Sequence, residues 1–207
     1  MDNLAVLVFQ IFVIFFSVAV HEVSHGYAAL KLGDPTAKEQ GRLTLNPIKH
    51  IDIFGTIILP LVMLLITAGQ SSFAWAKPVP YDPRRLKNPV SDAAKIAAAG
   101  PLSNFAIAII FSILLRFGIG GGELSVLMFL IVVINVWLMI FNLLPIPPLD
   151  GSKFLYLFVA KRGVGMEAVR FLEKWGFFIL LAIAFVGFDF LAPFVGVFIT
   201  ILTGYTF

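Results

Sequence analysis

Apolar residues run through this chain in long blocks, separated by short polar, glycine and proline punctuation. Leu4 to Val20 carries no charge, and Gln10 and Ser17 are its only clearly polar side chains. The pattern continues to Leu32, where Gly33-Asp34-Pro35 stops it, so a first helix is predicted over 4–32. Gln40 to His50 is polar, with a turn signal at Asn46-Pro47. Gly55 to Ala68 is a largely apolar run of fourteen that holds Pro60. Ser71 to Asn88 reads as a loop, with Pro78, Pro80 and Pro83 among Lys77, Arg84, Arg85 and Lys87. Further helices are predicted over 92–117 and 123–144. Pro145, Pro147 and Pro148 break the second, and an apolar stretch resumes over 154–160. Two last helices are expected over 167–186 and 190–203. Gly118 to Gly122 is a glycine-rich turn with no strand before it, so it is not read as a phosphate cradle.

Composition turns these blocks into a fold class. The chain is 59% hydrophobic and 13% charged, where globular chains are about 25% charged. The expectation is an all-α, polytopic helical bundle in a lipid bilayer, with about five to six transmembrane segments. The length suits one integral-membrane domain over 1–207, in two parts, 4–160 and two C-terminal helices at 167–204. Met1-Asp2-Asn3 has no basic residue and the apolar run outlasts a signal core, so the first helix is expected to be retained. A net charge of +3 points to anionic lipid rather than nucleic acid. The absence of cysteine excludes disulfides, thiolate ligands and a cysteine nucleophile, leaving His and carboxylates to hold any metal.

Charge also suggests sidedness. With the N-terminus outside and Lys31 inside, all fifteen basic residues except Arg116 fall in the inner half or on the cytoplasmic side. The outer turns then carry Glu123 and Asp189. This scheme requires 55–68 to start and finish on one side. Fourteen helical residues reach about 21 Å, short of a hydrocarbon core of about 30 Å. The segment is therefore read as re-entrant.

Three ionisable groups stand inside the first apolar helix: His21, Glu22 and His25, in the pattern His-Glu-x-x-His. A charge at the centre of a bilayer helix costs about 2.5–3.5 kcal/mol on insertion scales. His21 and His25, four apart, share one helix face and suit a tetrahedral Zn²⁺. Glu22 points about 100° away, near metal-bound water without being a ligand. A hydrogen-bonded cluster or a transporter's proton relay is the competing reading. Glu22 and Asp150 each lie ten residues before the inner end of their helix, at Leu32 and Ala160. That common depth makes Asp150 the natural third ligand, against its ordinary use as a helix cap. Asn104 and Asn142 are helix amides that join helices, orient a ligand or grip an extended substrate. His50, in a polar loop, is expected to be solvated.

These residues resemble the site-2 protease family of intramembrane zinc metalloproteases. Three elements carry the resemblance: His21-Glu22-Val23-Ser24-His25, Gly100-Pro101-Leu102-Ser103-Asn104, and the run from Asn142 through Pro145 to Asp150-Gly151. Trp75-Ala76-Lys77-Pro78-Val79-Pro80 resembles the loop of a compact prokaryotic branch without PDZ or CBS domains. The resemblance implies a catalytic core at 4–160, with His21, His25 and Asp150 as ligands of one Zn²⁺ per chain and Glu22 as catalytic base. It also implies a transmembrane protein substrate, cut in regulated intramembrane proteolysis. The loop 71–88 and the segment 55–68 either hold the unwound substrate by edge pairing or serve as connectors. A membrane transporter using the same cluster as a proton or metal relay is the alternative function, and a non-cleaving scaffold a further one.

Overall fold

The computed structural model describes residues 3–68, 74–186 and 190–205, and all regular structure among them is helical. In chain order the α-helices are α1 (Asn3–Lys31), α2 (Thr36–Glu39), α3 (Leu59–Ile66), α4 (Pro89–Arg116), α5 (Gly122–Asn142), α6 (Gly151–Arg162), α7 (Met166–Val186) and α8 (Ala192–Thr203). Short 3₁₀ turns span Pro47–His50 and Pro83–Arg85, and a π-helical turn spans Ile53–Ile58. Asn46, Asp52 and Asp82 each start one of these turns by accepting a backbone N–H with the side chain. Asp189 and residues 71–73 of the predicted loop lie outside the described residues.

Among the described residues, three helices are long and apolar enough to cross a membrane: Leu4–Lys31, Pro89–Arg116 and Gly122–Asn142. Ile53–Ile66 and Ala192–Thr203 are apolar but shorter. α7 has the length of α5 but carries Glu167, Arg170, Glu173 and Lys174 in its first half.

α4 is the centre of the bundle, packing against α1, α5, α6 and α8. One core cluster joins Ala108 and Leu115 of α4, Met128, Val132 and Val136 of α5, and Val195 and Ile199 of α8. A second joins Met63, Leu149, Leu180 and Ala184, with Trp75 and Phe141 against them. A third, Ala29, Leu86 and Ile96, ties the end of α1 to the start of α4. At the opposite end of α4, the Arg116 guanidinium donates to the carbonyls of Leu202 (2.7 Å) and Ile201 (2.5 Å). The Arg116 end of α4 and the C-terminal end of α8 therefore share one face of the bundle.

Most of the run 55–68 lies in one helical stretch, Ile53–Ile66, whose geometry changes from π-helical to α-helical at Leu59, one residue before Pro60, which has no N–H to donate. The proline-containing segment after it is not a free loop. Trp75 N–H donates to the Gly55 carbonyl (3.1 Å) and Lys77 N–H to that of His50 (2.8 Å). Thr56 Oγ1 donates to the Trp75 carbonyl (2.8 Å), and Arg42 Nη2 to that of Lys77 (2.9 Å). This docking corrects the expectation for His50: it is buried, at 3% exposure, with Nε2 at 2.9 Å from the Thr44 carbonyl.

Asp34 fastens the same region. Its buried carboxylate accepts from Thr36 N–H (3.0 Å), the Thr36 hydroxyl (2.5 Å) and Asp82 N–H (2.6 Å). Burial alone would raise its pKa. The Thr36 hydroxyl and N–H, the Asp82 N–H and the Arg85 charge outweigh burial and hold it below the usual carboxylate range. A depressed folded-state pKa contributes stability above the unfolded value of about 3.9, lost as pH falls through the folded one. Asp34→Asn is expected to flatten the acid limb of thermal stability below about pH 4. Melting curves in detergent between pH 3 and 6 check it, and an unchanged acid limb contradicts it.

Candidate metal centre

The site lies where α1, the middle of α4 and the turn before α6 meet. His21 and His25 project from α1 with ring centroids 4.7 Å apart and planes at 87°. Both are buried, at 6% and 8% exposure. His21 Nδ1 lies 2.6 Å from Asn104 Oδ1, and His25 Nδ1 lies 2.7 Å from the Ile96 carbonyl. Carbonyl oxygens only accept, so each Nδ1 carries a proton, and in the neutral imidazole each Nε2 presents a lone pair.

Both Nε2 atoms face one oxygen. Asp150 Oδ2 stands 3.1 Å from His21 Nε2 and 3.2 Å from His25 Nε2. Three acceptors so arranged are complementary to a cation or a proton at their centre. A tetrahedral zinc with bonds of about 2.0–2.1 Å separates its ligand atoms by about 3.3 Å. The donor set and its spacing therefore fit zinc. The ligand atoms of His21, Glu22 and His25 also lie within 4.8 Å of one another.

The backbone explains how Asp150 arrives there. α5 ends at Asn142, and the proline-rich turn, with a cis Pro147–Pro148 bond, leads into α6. Gly151 passes so close to α5 that a Cβ would lie 2.2 Å from the Leu143 oxygen and 2.3 Å from that of Leu144. Asp150 occupies the cap position of α6, yet its side chain makes no capping hydrogen bond and turns to the imidazoles instead.

α4 contributes three successive turns of one face. Ile96 supplies the acceptor for His25, and Asn104 the acceptor for His21. Between them a Cβ on Gly100 would lie 2.5 Å from both Nε2 atoms. Gly100 thus gives the imidazoles the volume they occupy.

Glu22 points to another neighbour. Its Oε2 accepts the Val79 N–H at 2.8 Å, from the strap docked on 50–56. A cavity of about 520 Å³ opens here, lined by His21, Glu22, His25, Asp150, Asn142 and Tyr81 together with mainly apolar side chains. Asn142 borders the cavity, but its Nδ2 donates back to the Leu138 carbonyl of its own helix (2.9 Å). Sequence reasoning missed Val79, Ile96, Ser17 and Asn135. The first two act through backbone atoms, which leave no mark on residue type; the last two carried a signal, as buried polar groups within apolar helices.

Comparison with known proteins bears on this geometry. The model of "Peptidase family M50" matches residues 9–125 and 121–183. A Bacillus subtilis protein named "Putative zinc metalloprotease YwhC" is 38% identical over 189 residues, covering 87% of this chain and 81% of its own. "Putative zinc metalloprotease Rip2" of Mycolicibacterium smegmatis is 30% identical over 179 residues, 81% of this chain and 62% of its own. "Putative zinc metalloprotease MJ0611" of Methanocaldococcus jannaschii is 48% identical over 61 residues, 30% of this chain and 32% of its own. No solved structure matches the chain significantly. The transporter alternative finds no support in these relatives. The family match over most of the length, together with a His-Glu-x-x-His helix facing an aspartate, assigns the chain: it belongs to peptidase family M50, the site-2 proteases.

Proposed function

We propose that this protein is an intramembrane zinc endopeptidase in which His21, His25 and Asp150 hold one Zn²⁺ per chain and Glu22 is the general base. The observation that carries the reading is the approach of one Asp150 oxygen, at 3.1 and 3.2 Å, to two Nε2 atoms whose rings are already committed through Nδ1. When bound, the ion supplies Lewis acidity toward water and toward the scissile carbonyl.

The chain's own groups do the rest. Glu22 accepts the proton of the attacking water and returns it to the leaving amine. Val79 N–H occupies Oε2, so Oε1 is the oxygen that carries the proton. Asn104 orients His21. Asn142, on the cavity wall, is the side-chain amide available to an extended substrate backbone. The substrate is a transmembrane protein. Its peptide bonds are hidden while helical, so it enters unwound. The enzyme is a multi-pass protein of the lipid bilayer, a single domain over 1–207, with its active site toward the cytoplasmic side, where Lys31 ends α1 and Lys161-Arg162 end α6.

Metal analysis tests this directly. Purified protein at neutral pH is expected to carry about one zinc per chain. Asp150→Ala is expected to lower zinc affinity by more than about 100-fold, beyond the usual loss from removing an outer-shell partner. Full zinc retention in Asp150→Ala, measured by chelator competition, overturns the ligand assignment.

A further inference from the structure

A buried chain of amides stands behind His21. Asn104 and Asn135 are both at 0% exposure and Ser17 at 2%. Asn104 Nδ2 donates to Asn135 Oδ1 at 2.9 Å and to the Ser17 carbonyl at 3.4 Å. Asn135 Nδ2 donates in turn to the Ile131 carbonyl at 2.9 Å and to Ser17 Oγ at 3.0 Å.

The polarity of this chain has only one solution. The Ile131 carbonyl cannot donate, so the NH₂ of Asn135 must face it. That turns Asn135 Oδ1 toward Asn104 and requires Asn104 to offer its NH₂. Reversing Asn104 would set its oxygen against two acceptors, Asn135 Oδ1 and the Ser17 carbonyl. Asn104 Oδ1 is left facing His21 Nδ1, which must carry the proton. The lone pair of His21 is thereby directed at Asp150 from a backbone carbonyl three links away. His25 needs no such relay, because its Nδ1 meets the Ile96 carbonyl directly.

We propose that Asn135 is a positioning residue of the metal centre: it fixes the Asn104 amide and, through it, the tautomer and ring orientation of His21. This deepens the zinc reading and rests on it. Asn135 reaches neither the imidazoles nor the cavity lining, so its influence on the ion must pass through Asn104.

A double-mutant cycle tests this, with zinc affinity measured against a chromophoric chelator. Wild type, Asn104→Leu, Asn135→Leu and the double variant are compared in purified, zinc-reloaded form. Asn104→Leu is expected to weaken zinc binding by about 10–100-fold, and Asn135→Leu by about tenfold. In the Asn104→Leu background, Asn135→Leu is expected to add less than about twofold, because the relay is already cut. A purely structural role would not vanish with Asn104. The proposal is overturned by wild-type affinity in Asn135→Leu, or by an undiminished loss in both backgrounds. If Asn135→Leu does not purify as folded protein, the cycle is run with Asn135→Ser, whose hydroxyl lacks the amide's reach. Wild-type protein that binds no zinc removes the metal reading itself, an outcome distinct from failure of the cycle.

Discussion

Glu22→Gln is expected to lower cleavage of a transmembrane test substrate by about 10²–10⁴-fold while zinc remains bound. Glutamine has nearly the same shape, and its amide oxygen can still accept the Val79 N–H that now reaches Oε2 at 2.8 Å. The strap over the cavity therefore keeps its anchor. What disappears is a carboxylate able to take a proton from water. Separating the two readouts matters, since loss of activity together with loss of zinc would describe a collapsed site. Cleavage by Glu22→Gln at the wild-type rate refutes Glu22 as base.

Gly100→Ala is expected to weaken zinc binding by about 100-fold or more, at the upper end of single outer-shell losses or beyond, with cleavage lost in parallel. The added methyl would stand 2.5 Å from both imidazole Nε2 atoms. Each ring can swing, but only by giving up its hydrogen bond to Asn104 or to the Ile96 carbonyl. The fold has little to lose, because the clash is with side-chain tips rather than backbone. Near-normal melting with strongly reduced zinc uptake is the expected signature. Retention of tight zinc binding in Gly100→Ala contradicts the observed packing.

The features legible in the sequence are the local ones. His21 and His25 announce themselves because four residues make one helical turn, and charge inside an apolar run is conspicuous. Asp150 is reachable by matching depths along two helices; its side chain passes over the cap position it occupies. The long helices follow from hydrophobic blocks, although the run holding Pro60 begins as a π-helical turn before it becomes α3. Other features depend on contacts far apart in the chain. Val79 is 57 residues from Glu22, and Asn135 is 118 from Ser17. Gly100 is visible as part of a motif, but its reason emerges only with two rings beside it. His50 misled because polar neighbours in sequence suggest solvent, whereas the docked Lys77 region covers it.

Ile96, Gly100 and Asn104 are spaced four apart on α4, and each meets the histidine pair. One helix thus serves as a ruler laid along the zinc-site side of α1. Turning it by a single residue, about 100°, would withdraw the proton acceptor of one imidazole, the gap beside both and the acceptor of the other together. Intermediate alignments give no partly working pocket, so occupancy by the ion reports whether these two membrane-length helices have found their mutual registry.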